Sequence, residues 1–371
     1  MSQTQLASAA SRPFTVSVDC HVVEPLDLWS TRIDHRFRDR LPRVQTIDGK
    51  KFMVVEGHKN QRIVDFTLEG DALERSQRGS HDIAERLRDH RRDGIDAEVT
   101  FPTRGLVCFV TPDPEFQMAQ ARVYNDWLHE TYAGQFDWMM PAPCIPPLDV
   151  KSAIAEVERC AARGFRTFFL PAHIPQQPYN LAIYDPLWDA IQATGWPISF
   201  HVGTGRDPRT ASGAGGAVYN YAVSALGGAQ DTIARLISSG VAERFPNLKF
   251  GTIESGIGWV PWLLHALDEA QSKHHFWASP TLPMKCSEYY LRQGFAAFQD
   301  DPIGLAFIDR FERNFLWSND YPHHEGTWPR SQPVIEQTMA HLTPAQRANV
   351  LGGNAARLFG FDPQRAARAM H

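Results

Sequence analysis

The stretch of sequence that decides the fold is residues 184–202, which read YDPLWDAIQATGWPISFHV. Its first part, Tyr184–Thr194, has apolar residues at helical spacing, and Gly195 follows as the residue type that most often ends a helix. Its second part, Pro197–Val202, is a short apolar run of the kind that forms a buried strand. The stretch therefore predicts a helix followed directly by a strand, which is the repeating unit of a parallel sheet.

The same alternation extends in both directions along the chain. Strands are predicted at Thr15–Cys20, Ala97–Phe101, Trp138–Ile145, Arg166–Pro171, Pro197–Val202, Leu248–Ile253, Gly294–Phe298 and Phe315–Ser318. Further helices are predicted at His81–Asp93, Pro114–Ala133, Val150–Ala162 and Asp231–Arg244. This pattern predicts an α/β protein, a single-domain (β/α)8 TIM barrel that spans residues 1–371. A doubly wound open sheet is the alternative, because strand periodicity does not distinguish the two.

Residues 26–80 interrupt the alternation and are predicted to be an insertion after strand one. Within them, Arg43–Thr46 and Lys51–Val55 have strand-like composition and flank the dipeptide Asp48-Gly49, a strong hairpin signal. We expect this insertion to decorate the barrel mouth. At the other end of the chain, Gln332–Phe359 predicts two or three extra helices that cover the barrel.

Composition and charge exclude several classes of protein. The 371 residues carry a formal net charge of −5, which argues against a nucleic-acid or anionic-membrane surface. No window approaches eighteen consecutive apolar residues, so no membrane span is expected. The five cysteines are far apart and form no CxxC pair, which makes a disulfide framework improbable and favours a reducing, cytoplasmic location.

Four side chains at predicted strand ends are candidate metal ligands. Asp19 and His21 share one face of strand one because side chains alternate along a strand. His201 ends strand five, and Asp320 ends strand eight. In a closed barrel strands one and eight are neighbours, so all four groups would meet at the rim where barrel enzymes place catalysis. Carboxylate and imidazole ligands of this kind suit Zn²⁺ or Mn²⁺.

Each signal taken alone has a simpler interpretation. An isolated Asp-x-His pair is more often a buried hydrogen bond, and a lone histidine at a strand end is usually a satisfied core residue. An aspartate at a strand terminus is more often a turn residue. The joint placement of the four on one rim favours the metal site.

Motifs spread from strand one to strand eight resemble the amidohydrolase superfamily, and more narrowly the amidohydrolase 2 branch that includes aminocarboxymuconate-semialdehyde decarboxylase and γ-resorcylate decarboxylase. The matching segments are Val18–His21, Tyr184–Trp188, Phe200–Gly203, Glu243–Leu248 and Trp317–Pro322. In that branch strand one supplies an HxH or ExH pair, a histidine follows strand five and an aspartate follows strand eight. The resemblance therefore implies one divalent ion, Zn²⁺ or Mn²⁺, at Asp19, His21, His201 and Asp320.

The sequence departs from the pattern of this branch in two places. Some members carry a DxHxH motif in which both histidines bind the metal. With that alignment the second histidine would fall on Val23, and Asp19 would not be a direct ligand. We favour the alignment in which Asp19 and His21 replace the ExH pair, because it keeps every ligand. At strand six the decarboxylases carry a catalytic histidine, whereas Glu254 stands there in this chain. Burial could raise the pKa of Glu254 enough for it to transfer a proton, or it could bind the metal. The alternative is a cap on a helix that begins near Gly258.

Two further observations refine the predicted site. No lysine occurs between Lys151 and Lys249, so the carboxylated lysine that bridges two metals in many relatives is missing and one metal is expected. Next to Asp320, His323 is predicted to be catalytic. Other residues predicted to line the mouth are His324, Glu325, Trp328, Arg104, His173 and Arg206, the last in a predicted active-site loop at Gly203–Gly216. A substrate carboxylate would need Arg or His partners among them.

The resemblance implies a metal-dependent lyase that removes CO₂, without oxidation, from an aromatic or unsaturated carboxylic acid, with Glu254, Asp320 and His323 as catalytic residues. The alternative is a hydrolase that uses a metal-activated water on an amide, ester, lactone or C–C bond. A barrel that binds ligand without catalysis is the third hypothesis. We expect a small carboxylate as substrate and, from the relatives, a homodimer.

Overall fold

The computed structural model describes residues 12–63, 70, 73, 78–174, 176–205 and 213–370. The strands are β1 Val16–Val22, β2 Arg43–Ile47, β3 Lys50–Val54, β4 Gln61–Arg62, β5 Ala97–Pro102, β6 Met139–Pro141, β7 Phe168–His173, β8 Ile198–Gly205, β9 Phe250–Ile253, β10 Gly294–Phe298 and β11 Phe315–Trp317. The α-helices are α1 Leu28–Arg32, α2 Ile83–Asp93, α3 Pro114–Tyr132, α4 Val150–Ala162, α5 Asp185–Thr194, α6 Gly216–Tyr219, α7 Leu226–Ser238, α8 Val241–Arg244, α9 Trp259–Lys273, α10 Cys286–Gln293, α11 Pro302–Leu305, α12 Ile308–Phe311, α13 Ser331–Thr338, α14 Pro344–Ala348, α15 Asn354–Phe359 and α16 Pro363–Met370. Two π-helical segments, Asn220–Ala225 and Asn349–Gly353, continue α6 and α14.

Eight parallel strands form a closed ring. Parallel pairing runs β1-β5-β6 and β7-β8-β9-β10-β11. Two parallel bridges, Cys144 with Phe169 and Cys20 with Tyr321, join these halves. At the second junction the backbone N–H of Asp320 donates to the carbonyl of Asp19 at 2.8 Å. The ring confirms the (β/α)8 barrel and excludes the open sheet.

Local signals in the sequence begin and end the helices as predicted. The Asp82 carboxylate accepts hydrogen bonds from the backbone N–H groups of Ala84 and Glu85 and so begins α2. Gly94 and Gly195, with φ of +73° and +76°, end α2 and α5 in the left-handed conformation that glycine adopts without strain. These caps fix where the chain leaves each helix and enters the next strand.

Two elements depart most from their predicted bounds. The third barrel strand is shorter than Trp138–Ile145, because Pro141 and Pro143 have no N–H group to donate to the ladder. The helix predicted at Asp231–Arg244 begins earlier, at Leu226, and is broken at Gly240, whose φ is +77°. Neither difference moves the strand ends that carry the candidate ligands.

The insertion after β1 contains the antiparallel sheet β2-β3-β4. Asp48 and Gly49 form its two-residue turn with φ of +50° and +72°, the positive angles that a type I′ hairpin needs. The hairpin prediction is confirmed. Residues 64–69, 71–72 and 74–77 of the insertion lie outside the described part of the chain. Helices α13 to α16 supply the predicted C-terminal cover.

All five cysteines are buried and free, in keeping with the absence of a disulfide framework. Within the described ranges, no helix is both long enough and apolar enough to cross a membrane.

Candidate active site

The candidate ligands lie at the carboxyl ends of three barrel strands. Asp19 and His21 come from β1, His201 from β8, and Asp320 follows β11. All four are fully buried. The closed ring brings β11 beside β1, which is why residues from opposite ends of the chain meet here.

The reactive atoms of these four residues converge. Nε2 of His201 lies 3.2 Å from Nε2 of His21 and 3.3 Å from Oδ1 of Asp19. Nε2 of His21 lies 3.4 Å from Oδ1 of Asp19 and 3.4 Å from Oδ1 of Asp320. The structure thus brings together every residue that the sequence nominated as a ligand. Asp19 stands beside both histidines, and its role as a direct ligand stays a prediction.

Both histidines present a lone pair to this centre. Nδ1 of His21 lies 2.8 Å from the carbonyl oxygen of Pro102, and Nδ1 of His201 lies 2.9 Å from that of Val202. Because a carbonyl oxygen only accepts, each Nδ1 carries the hydrogen and a neutral ring has its lone pair on Nε2. When both rings are neutral, these lone pairs face each other at 3.2 Å, and either a proton or a metal ion between them removes the repulsion.

The carboxylates add unsatisfied negative charge. Oδ2 of Asp19 and both carboxylate oxygens of Asp320 are buried without a well-aligned hydrogen bond to any described residue. A buried carboxylate in this condition is costly unless a cation neutralises it. Two imidazole nitrogens and two carboxylates form a donor set that Zn²⁺ and Mn²⁺ accept. The residues present therefore fit a divalent ion.

Backbone strain accompanies the site. Asp320 has a φ of +52° and Glu254 a φ of +57°, in the left-handed region that costs a non-glycine residue about 1–3 kcal/mol. Such outliers concentrate at functional sites, because the surrounding structure must hold them in place.

The protonation states of the cluster are set by burial and by mutual charge. Burial, with the nearby Asp19 charge, raises the pKa of Asp320 well above its usual range. Burial alone would raise the pKa of Asp19, but its hydrogen bonds with His201 and His21 lower it below the usual range. Burial lowers the pKa of His21 to about 3, whereas at His201 the contact with Asp19 outweighs burial and raises the pKa to about 9.

Acidic groups line the side of the centre toward the mouth. Carboxylate oxygens of Glu254, Asp320 and Glu325 lie within 4.8 Å of one another. Oε2 of Glu254 is 3.7 Å from Nε2 of His201, and burial raises the pKa of Glu254 well above its usual range. Glu325 also contacts Nδ1 of His324 at 2.6 Å. The carboxyl group of Glu254 therefore lies beside two of the candidate ligands, His201 and Asp320.

Glu254 is not a helix cap. The carboxylate of Asp301 accepts the backbone N–H groups of Ile257 and Gly258, each at 2.7 Å, and so occupies that position. The capping interpretation of Glu254 is wrong, because a residue from the loop after β10 already binds the first turn of α9.

His323 belongs to the cluster. Its Nδ1 is 3.0 Å from Oδ1 of Asp320, and its ring stacks on that of His21 with 3.9 Å between centroids. Its Nε2 lies 3.4 Å from Oγ1 of Thr103. Burial lowers the pKa of His323, so the ring favours its neutral form.

The remaining mouth candidates do not join the centre. The guanidinium of Arg104 donates to the carbonyl oxygen of Glu24, and Nδ1 of His173 lies 3.9 Å from Asp231. The Trp328 ring packs on Tyr321, with 5.4 Å between centroids. Arg206 lies outside the described residues.

Two contributors were not found from the sequence. The buried carboxylate of Glu24 accepts the backbone N–H groups of Arg104 and Gly105, each at 2.8 Å, and so holds the loop after β5. Burial, together with the negative charges of Glu254, Glu325 and Asp320, raises the pKa of Tyr221 above its usual value. Tyr221 belongs to a π-helical segment, and no sequence pattern used above predicts one.

Comparison with known proteins now gives the family. A model of the family Amidohydro_2, described as amidohydrolase, matches residues 18–361. The chain belongs to this amidohydrolase family. This amidohydrolase is 22% identical over 295 residues to a 2-amino-3-carboxymuconate-6-semialdehyde decarboxylase from Dictyostelium discoideum, covering 76% of this chain and 77% of that protein. It is 26% identical over 268 residues to a γ-resorcylate decarboxylase from Polaromonas sp. JS666, covering 64% and 76% of the two chains.

A solved structure has the same fold as this amidohydrolase. It is a dihydroxybenzoic acid decarboxylase from Polaromonas sp. JS666 with bound manganese and the inhibitor 2-nitroresorcinol. The TM-score is 0.64 at 18% identity, with 94% of this chain and 97% of that chain covered. The predicted family and fold are confirmed.

Proposed function

We propose that this amidohydrolase is a metal-dependent lyase that removes CO₂ from an aromatic or unsaturated carboxylic acid. One Zn²⁺ or Mn²⁺ would be held by Asp19, His21, His201 and Asp320. The observation that carries the proposal is the approach of two imidazole Nε2 atoms to 3.2 Å beside two under-satisfied carboxylates. The activities named for the relatives, and the manganese in the decarboxylase of the same fold, favour decarboxylation.

A bound divalent ion would supply a Lewis acid that stabilises negative charge on substrate oxygens. The residues of the chain provide the rest of the chemistry. Loss of CO₂ breaks a C–C bond and leaves the electron pair on carbon, so a proton must reach that carbon. Glu254 is suited to deliver it, because its side chain is 13% exposed at the mouth and its raised pKa favours the protonated form. His323 and Asp320, in contact at 3.0 Å, would return a proton to the site.

Hydrolysis is a second candidate, favoured by the acidic side of the centre. A carboxylate such as Glu254 or Asp320 can act as general base toward a water, and three carboxylate groups lie within 4.8 Å of one another. The same acids disfavour a substrate carboxylate unless a cation or protons offset their charge.

The test is product analysis with γ-resorcylate and a panel of related hydroxybenzoates, in ¹⁸O-labelled water with added Mn²⁺ or Zn²⁺. Stoichiometric CO₂ release without ¹⁸O in the organic product supports the lyase. Turnover of an ester, lactone or amide with ¹⁸O in the product, and no CO₂ from any acid, would replace the lyase with the hydrolase.

We further propose a homodimer in the cytoplasm that acts on a small carboxylate, with residues 1–371 as one domain. One ring of eight strands supports a single domain. Trp262, Phe276 and Trp277 are each about two-thirds exposed, and large exposed aromatic side chains are typical of protein interfaces. Sedimentation of the purified chain tests the dimer.

A further inference from the structure

Helix α2 buries a charged face. Arg86, Asp89, His90 and Asp93 recur at helical spacing on one side of the helix, and all four are at most 5% exposed. Charged residues are rarely buried in this way unless each is paired. We call these four residues the anchor face.

Arg86 uses its whole guanidinium group. Its five N–H groups donate to both oxygens of Glu98, to Oγ1 of Thr100 and to the carbonyl oxygens of His21 and Gly79, at 2.7–3.3 Å. Its charge also lies 5.0 Å from the centre of the Tyr321 ring. Arg86 therefore connects the backbone of His21, a proposed metal ligand, to Tyr321, which follows the proposed ligand Asp320.

The two aspartates of the anchor face hold both neighbours of Asp320. Oδ2 of Asp89 accepts the Tyr321 hydroxyl at 2.6 Å. Oδ2 of Asp93 accepts the Asn319 amide at 3.3 Å, and its carboxylate also accepts the backbone N–H of Ser331. Asp320 is thus fixed on either side in its strained backbone conformation, although its own side chain contacts none of these residues.

His90 completes the charge balance. Its Nε2 lies 2.5 Å from Oε2 of Glu98, near Cys20. His90, Glu98 and Cys20 are close enough to bind a metal together, but Arg86 already neutralises Glu98 and would repel a cation. The group is therefore a hydrogen-bonded support and not a second metal site.

Stability alone does not account for this arrangement. Buried ion pairs often contribute less than apolar residues of the same size, whereas they specify geometry well. Resting on the metal centre proposed above, we propose that the anchor face consists of positioning residues. It fixes the distance between His21, near the end of β1, and Asp320, in the loop after β11. That distance decides how tightly the metal binds.

The experiment measures metal dissociation constants by competition with a chromophoric chelator, for the wild type and for Tyr321→Phe and Arg86→Lys. Tyr321→Phe keeps the ring and removes only the hydroxyl group bound to Asp89. The control is Glu156→Gln, because Glu156 is also fully buried and accepts hydrogen bonds from Asn125 on α3 and Arg159 on α4. Melting temperatures are recorded for the apo form of each variant.

Loss of such supporting contacts typically weakens metal binding about 10–100-fold, which is the expected result for Tyr321→Phe and for any folded Arg86→Lys. Glu156→Gln should lower the apo melting temperature with little change in affinity. Unchanged affinity in folded Tyr321→Phe, or an equal loss in Glu156→Gln, would overturn the positioning role alone. A wild type that binds no metal would overturn the metal centre as well.

Discussion

Nε2 of His21 and Nε2 of His201 face each other at 3.2 Å, and each ring is oriented by a backbone carbonyl behind it. This orientation directs two ring nitrogens at one point, where a metal ion would take the place of the proton that His201 otherwise carries. The first expected outcomes concern that cation.

His201→Ala and Asp320→Ala should each reduce the bound metal from about one equivalent to none, as measured by elemental analysis of the purified proteins. Each removes one of the four donors proposed to hold the ion. At a free metal concentration one hundred times Kd, binding adds about 2.7 kcal/mol to the unfolding free energy. A chelator should therefore lower the melting temperature of the wild type and leave both variants unaffected. His35→Ala, on the exposed surface, is the control and should behave as wild type.

Glu254→Gln should abolish most turnover and leave the metal bound. The amide keeps the shape of the side chain but cannot deliver a proton, and loss of a general acid typically costs about 10²–10⁴-fold in rate. Turnover is measured on the acid that releases CO₂ most rapidly, with metal content determined on the same samples. Glu325→Gln, half exposed at the mouth, is the comparison and should have the smaller effect. Loss of metal in Glu254→Gln would make Glu254 a ligand instead.

Acid stability should depend on Glu98. Burial alone would raise the pKa of Glu98, but the charges of Arg86 and His90 outweigh it and lower the pKa from an ordinary 4.5 to about 2. The unfolded chain therefore binds a proton at higher pH than the folded one. The resulting stabilisation is fully present above pH 4.5 and is lost as pH falls toward 2. Urea unfolding of the apo protein at several pH values should show Glu98→Gln costing most at neutral pH and progressively less in acid. A cost that does not vary with pH would contradict the ion pair.

Gly251→Ala should destabilise the barrel wall. A Cβ atom there would lie 2.3 Å from the carbonyl oxygen and from Cγ of Phe295, so β9 and β10 would have to separate. Overpacking of this kind costs about 1–3 kcal/mol, and here the obstacle includes backbone. The matched variant is Gly134→Ala, where nothing lies within 4 Å of the added atom. Thermal unfolding should separate the two, and equal melting temperatures would contradict the close strand approach.

The barrel and the convergence of the candidate ligands could be predicted because both depend on local, repeating signals. Glycine ends the helices, apolar runs form the strands, and Asp19, His21, His201 and Asp320 stand where those runs stop. The family resemblance added the expectation of a metal, and the family itself is confirmed. The identity of the ligands stays a prediction until metal is measured.

The anchor face could not be predicted, because charged residues repeated at helical spacing usually indicate a helix face exposed to solvent. A stripe of Arg86, Asp89, His90 and Asp93 along a helix reads as a solvated face under the usual rule of amphipathicity. Partners on other elements, among them Glu98 on β5 and Tyr321 after β11, make its burial favourable, and the closed ring brings Tyr321 to this face. Tyr221 was missed for a different reason, since its position depends on a π-helical turn.

The hydrogen bond from Asp320 to Asp19 joins residues 301 positions apart, at the seam where the last barrel strand meets the first. A ribosome adds about 5–20 residues per second, so β1 waits roughly 15–60 s after its synthesis for the strand that completes it. Throughout that interval the nascent chain presents an open sheet edge, a surface on which other chains can pair. The two candidate metal ligands Asp19 and Asp320 thus also close the sheet edge on which a newly made chain could aggregate.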